Sequence, residues 1–396
     1  MDARKNPFAP GAGSPPPELA GRASILNHAE LALDRLRNGL HVKSLVMTGL
    51  RGTGKTCIIN SIHQFYQSAG CPAATVEAVD GKTLAELICP ALRRVLFTQQ
   101  WSDADSEKSR TALRVLRSFL GGLSPQALGG LGDFELELAI APETGSADSG
   151  DFEADLCALL QAAAEAAVGH KMPVVLCVDE IQALPEREFS ALIVAMDRIS
   201  QRRLPLILFA AGLPQVRGLA SRATAVVERL VEYPEVGPLQ PWHVSEALQG
   251  PAQRQGAEFT REALNELIKA THGYPYFIQQ WAYEAWNLAA GPIIDAVDVQ
   301  RAAKPATRRL DESFFRVRFD RLTPKEKQYL RALAELGPAS QRSGQIAAQL
   351  GVKIQAVAPV RDILIRKGMI YSPSYGRTAF TAPLFDEFMR RTMPVH

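Results

Sequence analysis

Gly49-Leu50-Arg51-Gly52-Thr53-Gly54-Lys55-Thr56 fits the pattern G-x-x-x-x-G-K-[ST] and stands between an apolar, strand-like run and a helix-like run. A phosphate cradle needs backbone N–H groups that converge on one anion, and glycine lets the chain curl that tightly. Gly49, Gly52 and Gly54 supply the freedom. A helix from Lys55 to about Ser68 would turn the positive end of its dipole toward the phosphates, and Lys55 adds a full charge. The stretch therefore predicts a nucleotide site contacted by Gly49, Gly52, Thr53, Gly54, Lys55, Thr56 and Cys57.

Outward from this loop, four apolar runs rich in β-branched residues read as buried parallel strands: residues 44–48, 74–79, 174–178 and 206–210, with helical segments between them. A fifth, weaker run lies near 230–236, and helical spacing over 23–40 puts a short helix before the first strand. Alternation of strands and helices predicts an α/β sheet with its ligand at the strands' C-terminal edge. The run Val174-Val175-Leu176-Cys177-Val178-Asp179-Glu180 delivers two adjacent carboxylates to that edge, the Walker B arrangement. There Asp179 would hold Mg²⁺ together with the Thr56 hydroxyl, Lys55 would reach the β- and γ-phosphates, and Glu180 would polarise the attacking water. Taken alone, the two carboxylates could equally be acidic residues complementing a helix dipole; the matched phosphate loop favours the site.

Hydrolysis also needs positive charge near the developing phosphate charge. Arg222 and Arg229 follow the fourth strand and are candidates for an arginine finger or a nucleotide sensor, against the alternative of ordinary solvated arginines. After that strand, Ala210-Ala211-Gly212-Leu213-Pro214-Gln215 puts no polar residue at the tip, and Gln215 is a weak substitute.

The 396 residues, 46% hydrophobic and 22% charged, suit two or three globular domains. No run approaches eighteen apolar residues and the N-terminus has no apolar signal core, so the expectation is a soluble cytoplasmic protein without a membrane segment. Five cysteines without C-x-x-C spacing read as reduced structural residues. Charge is uneven: residues 1–300 hold 26 Lys+Arg against 34 Asp+Glu, whereas residues 301–396 hold 18 against 8. The basic end is the candidate for a polyanionic partner.

The organisation expected is a flexible or extended segment over 1–20, an α/β core over 21–240, a helical lid over 241–306 and a further domain over 307–396. The core carries an insertion over about 98–150, because nearly a hundred residues separate its second and third strands. This insertion holds a Gly-rich stretch at 121–132 and an alternating run at 134–138, and just beyond it Asp151 caps an Ala-rich helix ending near Gly169. Helical patterns run throughout 242–304, including 262–270 and 276–288.

Beyond Leu322 the sequence predicts three helices and a hairpin. Thr323, Pro324 and Glu326 form a capping box for a helix through Glu335; Ser343 opens a second, ended by Gly351; a third runs from about Gln355 to Lys367, with Pro359 in its first turn and Gly368 closing it. Residues 369–372 and 377–381 then make two strands around a turn.

Together these motifs resemble the AAA+ ATPases, and most closely the initiator-like (origin-recognition-like) and STAND-related bacterial types with a C-terminal winged helix-turn-helix domain. The resemblance implies a P-loop NTPase core, ATP and Mg²⁺ as ligands, a position for Arg22 of the Gly21-Arg22 pair near the adenine pocket, and assembly into homo-oligomers. Two departures stand out: Gly273-Tyr274-Pro275-Tyr276 carries no sensor arginine in the lid, and the polar sensor after the fourth strand is missing. Both resemble STAND-type switches and imply slow turnover. The winged domain implies double-stranded DNA as partner, contacted by Lys353, Gln355, Arg361, Tyr375 and Arg377; the alternative is a protein-docking module in a signalling protein that holds ATP or ADP almost statically. A small-molecule kinase shares the loop but not the lid and the further domain.

Overall fold

Five parallel strands form the central sheet of the computed structural model, which describes residues 1–11, 13–98, 103–124, 140–168, 172–223 and 231–394. The strands are β1 (Ser44–Thr48), β2 (Ala73–Glu77), β3 (Val174–Asp179), β4 (Leu206–Gly212) and β5 (Val231–Glu232), in the order β2-β3-β4-β1-β5. Four of the expected strands thus fall within two residues of where the apolar runs put them, and the weak fifth is a two-residue edge strand beside Ser44 and Leu45. The sheet reads as continuous apolar runs because both of its faces are covered. Val46, Leu176, Val178, Leu208 and Ala210 face one core, with helices α3 (Leu84–Thr98), α4 (Asp103–Gly122), α5 (Phe152–Ala167) and α6 (Glu186–Gln201). Leu45, Met47, Cys177, Phe209 and Ala211 face the other, with α1 (Ala23–Arg37) and α2 (Lys55–Ser68). The architecture is an α/β P-loop NTPase fold.

Asp151 caps α5 by accepting from Glu153 N and Ala154 N. The alternating run at 134–138, and the Gly-rich stretch from residue 125 on, lie outside the described residues. A short α7 (Val216–Ala223) follows β4, and Arg229 also lies outside the described residues.

After β5 come α8 (Pro241–Arg254), α9 (Arg261–Thr271), α10 (Pro275–Leu288) and α11 (Ala296–Arg309). This stretch is not helical throughout. Glu258–Phe259 (β6) and Ile293–Ile294 (β7) pair in parallel, and two residues per strand are too few to break a helical pattern in sequence. A π-helical turn (Leu310–Phe315) and a one-turn helix, α12 (Arg316–Phe319), lead into the C-terminal region.

That region holds α13 (Pro324–Glu335), α14 (Ser343–Leu350), α15 (Ile354–Arg366) and a three-stranded antiparallel sheet. Its strands are β8 (Gln341–Arg342), β9 (Ile370–Tyr371) and β10 (Arg377–Phe380), in the order β8-β10-β9. The capping box is present: Thr323 accepts from Glu326 N, and Glu326 accepts from Thr323 N at 2.9 Å. Pro359 is the sixth residue of α15 and lies in its second turn, not its first, since 3.6 residues complete a turn. A final helix, α16 (Phe385–Thr392), was not expected; it folds because Phe385, Phe388 and Met389 bury one stripe of it. Among the described residues no helix is long and apolar enough to cross a membrane.

The N-terminal segment runs over the helical half. The Met1 ammonium donates to Ala289 O at 2.6 Å, Asn6 Nδ2 donates to Tyr283 O at 3.0 Å, and Phe8 is buried against Phe259 and Trp286.

Candidate functional site

The topology itself brings the two sequence motifs together. All five strands are parallel and β1 and β3 flank β4, so the loop after β1 and the carboxylates at the end of β3 lie at the same C-terminal edge, on either side of the β4 tip. Gly49 N donates to Gly212 O at 3.1 Å across that tip. The loop depends on its glycines: a Cβ on Gly49 would sit 2.2 Å from Val236 O, and Gly54 takes φ +92° at the N-cap of α2.

Thr56 Oγ1 donates to Asp179 Oδ2 at 2.6 Å, so the two groups expected to share a metal ion already touch. Burial pushes the Asp179 carboxyl above the ordinary aspartate range, and the Thr56 hydrogen bond works against that shift. A hydroxyl and a carboxylate oxygen side by side are the hard donors that Mg²⁺ takes, so the pair fits that ion. Lys55 is buried and donates to Gly49 O and Leu50 O at 2.9 Å each, and desolvation lowers its pKa to about 8. An anion in the loop would return the missing charge balance.

Glu180 holds φ 51°, a left-handed conformation that side-chain-bearing residues rarely take and that concentrates at functional sites. Its carboxylate accepts from Gln182 Nε2 and lies 3.6 Å from the Arg51 guanidinium. Gln182 in turn accepts from Leu213 N at 2.9 Å, and a Cβ on Gly212 would meet its Oε1 at 2.6 Å. The sequence offers no polar residue at the β4 tip; Gln182 reaches that place from the turn after β3. Gln215 has its Oε1 buried without a hydrogen-bond partner.

Arg22 is buried, and its Nη2 donates to Thr53 O at 3.0 Å and Gly237 O at 2.6 Å, which braces the phosphate loop against the chain leading into α8. Cys57 donates through Sγ to Ser14 O at 3.4 Å, so the N-terminal segment roofs the start of α2. The resulting cleft, about 410 Å³, is lined by the loop, Asp179 and Glu180, the N-terminal segment, the start of α10 and, from the far side, Phe314 and Arg318. Tyr276 N donates to Gly52 O at 3.2 Å, joining α10 to the loop. Arg222 lies on α7, and the placement of its side chain falls outside the described residues.

The loop is also tied to the C-terminal region. Arg51 N donates to Thr381 O at 2.9 Å, and Arg51 Nε donates to Gly368 O at 3.2 Å. Nothing in the spacing of Arg51, Gly368 and Thr381 along the sequence signals this contact.

At the outer face of that region, a groove is lined by Ser343, Gln345, Ile354, Arg361, Tyr375 and Arg377. Lys353, Gln355 and Tyr375 are exposed. Arg361 is engaged within the domain, donating to Thr378 Oγ1 and Ser372 Oγ at 2.9 Å, and Arg377 donates to Ser340 O at 2.9 Å.

Residues 18–209 match the AAA ATPase domain, and residues 312–389 match a domain of unknown function (DUF8462). No curated protein matches the chain. Among solved structures, the Walker-type ATPase of Pyrococcus abyssi is 13% identical, with 94% of this chain and 96% of that one covered and a TM-score of 0.59. Cdc6p of Pyrobaculum aerophilum is 14% identical over 99% of both chains, with a TM-score of 0.48. The Orc1 protein of Aeropyrum pernix, in complex with DNA, is 16% identical over 96% and 94%, with a TM-score of 0.46. At such identities the likeness is one of fold. The stretch that matches the AAA ATPase domain contains the loop at 49–56 and the carboxylates Asp179 and Glu180.

Proposed function

We propose that this protein is a slow, Mg²⁺-dependent ATP switch that repositions a DNA-binding winged helix domain. The observation that carries the reading is the pair of hydrogen bonds from Arg51 to Thr381 and Gly368, because it couples the phosphate loop directly to the C-terminal region. In this reading the glycine loop and Lys55 seat the β- and γ-phosphates, and Arg22 holds the loop's shape. Thr56 and Asp179 hold the ion, which supplies charge neutralisation on the phosphates. Glu180 orients a water, and Gln182 sets the carboxylate's direction.

The helices α13 to α15 with β8 to β10 have the order of a winged helix-turn-helix, and the 18 Lys+Arg against 8 Asp+Glu over 301–396 support a polyanionic partner. Double-stranded DNA is that partner: Lys353 and Gln355 at the start of α15 face the major groove, Tyr375 and the strand-bearing Arg377 reach along the backbone, and Arg361 fixes the wing to the helix. Arg222 and Arg229 act across the interface of a nucleotide-dependent homo-oligomer. Retained nucleotide, turnover and binding to duplex DNA, measured on the wild type and Lys55→Ala, test the reading. Turnover unaffected by that substitution removes its basis. An ATPase rate per chain that stays constant over a wide dilution series removes the intersubunit arginine.

A second reading is favoured by the β4 tip, where Gln182 holds Glu180 and no cation stands in Gly273–Tyr276. Here the chain holds ADP statically and the winged domain docks a protein. Tightly retained ADP, negligible turnover and no duplex binding at low salt support it over the first.

A further inference from the structure

Resting on the reading of the cleft as a nucleoside triphosphate site, we propose that Arg318 binds the terminal phosphate from within the same chain, so that the joint between lid and C-terminal region senses ATP against ADP. Arg318 lies on α12, the single helical turn that connects the two, and it lines the cleft together with Arg51, Lys55, Thr56, Asp179 and Glu180.

Its surroundings leave its charge unanswered. The guanidinium donates from Nη1 to the Phe314 carbonyl and lies 4.2 Å over the Phe314 ring. Among the described residues no carboxylate comes within 4.0 Å of it. Arg51 and Arg321 repel it, while Glu180 and Tyr276 attract it from farther off. Burial, with Arg51 next, pushes its pKa down to about 10. A half-buried guanidinium with only a carbonyl and a ring for company costs free energy that an anion in the cleft would recover. The carboxylate at hand is already shared: Glu180 is held by Gln182 and paired with Arg51. A terminal phosphate carries the charge and the acceptor oxygens that would satisfy Arg318, and planar guanidinium groups suit phosphate oxygens.

The local fold explains why the residue points there. The turn before it, Leu310–Phe315, is π-helical, and such turns occur mostly at functional sites, where one extra residue shifts the phase of the helix. Phe314 lines the cleft, its ring 4.7 Å from Tyr276, and the adjoining Phe315 ring, 5.1 Å from that of Phe314, packs 5.6 Å from Phe385 and 5.3 Å from Phe388. Movement of Arg318 toward a phosphate therefore pulls on a turn that is wedged into the C-terminal core.

The test is equilibrium binding of a fluorescent non-hydrolysable ATP analogue and of fluorescent ADP to the full chain, for the wild type, Arg318→Ala, Arg318→Lys and Lys55→Ala. Arg318→Ala should weaken the ATP analogue at least tenfold and ADP by less than twofold, and Arg318→Lys should recover part of the loss. An unchanged ratio of the two affinities in Arg318→Ala overturns the inference, even if the variant melts lower, since a purely structural arginine would weaken both ligands alike. If Arg318→Ala does not fold, Arg318→Gln, which keeps a polar stem beside Phe314, gives the same comparison. Lys55→Ala separates the two layers: wild-type binding abolished there with an unchanged Arg318 ratio sinks only the arginine, whereas no effect of Lys55→Ala sinks the site itself and the inference with it.

Discussion

The α/β core and the helical half that follows it bury their apolar residues in different ways. In the core, one sheet separates two distinct clusters, and alternate strand residues serve each. In the second half, the N-terminal Phe8, the four lid helices and the C-terminal domain share one cluster, threaded by the rings Phe277, Phe314, Phe315, Phe385 and Phe388. The lid and the C-terminal domain are therefore a single packed body. That body meets the core at the phosphate loop, where Arg51 donates to Thr381 and Gly368 and Gly52 accepts from Tyr276 N. Under the proposed function, a nucleotide bound at that seam would act on one packed unit and not on two loosely tethered domains.

The comparison breaks most severely if the ring ladder is cut. Phe315→Ala removes a fully buried aromatic from the shared cluster and should cost about 3–5 kcal/mol. Calorimetry should then show the helical half melting as one unit at a lower temperature; separate melting of lid and C-terminal domain would deny that they are one body. On the core side, Lys55→Ala should weaken nucleotide binding by about two orders of magnitude while leaving the melting of the helical half in place, since a phosphate contact of this kind is worth about 1.5–3 kcal/mol.

A pH series sharpens the seam itself. The pKa of Lys55 in the folded chain is about 8, below that of an unfolded lysine, so between there and the ordinary lysine range the unfolded chain binds more protons. The cost of burying this charge is in full force below about pH 8 and is lifted as pH rises through the window. Phosphate binds the charged form, so nucleotide affinity should be flat below pH 8 and fall above it, by up to about tenfold per unit. Lys55→Arg should flatten that fall, and an equally steep decline in it would assign the titration elsewhere. The smallest effect is expected at the outer groove: Lys353→Ala should lower the slope of log affinity for duplex DNA against log salt by about 1. A slope unchanged from the wild type would remove the start of α15 from the interface.

Much of the core was legible because its signals are local. The glycine pattern, the apolar strands, the cap at Asp151 and the capping box at Thr323 each rest on residues within a few positions of one another, and the structure reproduces their boundaries to within a few residues. The site was half legible. Lys55, Thr56, Asp179 and Glu180 announce themselves by motif, whereas Gln182 and Arg318 carry no motif at all. Gln182 reaches the β4 tip from the turn after β3, and Arg318 lines the cleft from the helical turn that follows the π-turn. The helix α16 and the docking of residues 1–9 were hidden for the same reason: their partners lie far away in sequence.

By itself, then, the amino-acid sequence determined the phosphate cradle, the parallel strands and the charge asymmetry, because backbone freedom, side-chain period and formal charge are properties of neighbouring residues. Only the tertiary structure decided that the helices after β5 and the C-terminal region share a core, that Arg51 links the phosphate loop to that body, and that Arg318 lines the cleft from the far side. Those are contacts between residues as many as 330 positions apart, as from Arg51 N to Thr381 O, and no local pattern encodes them.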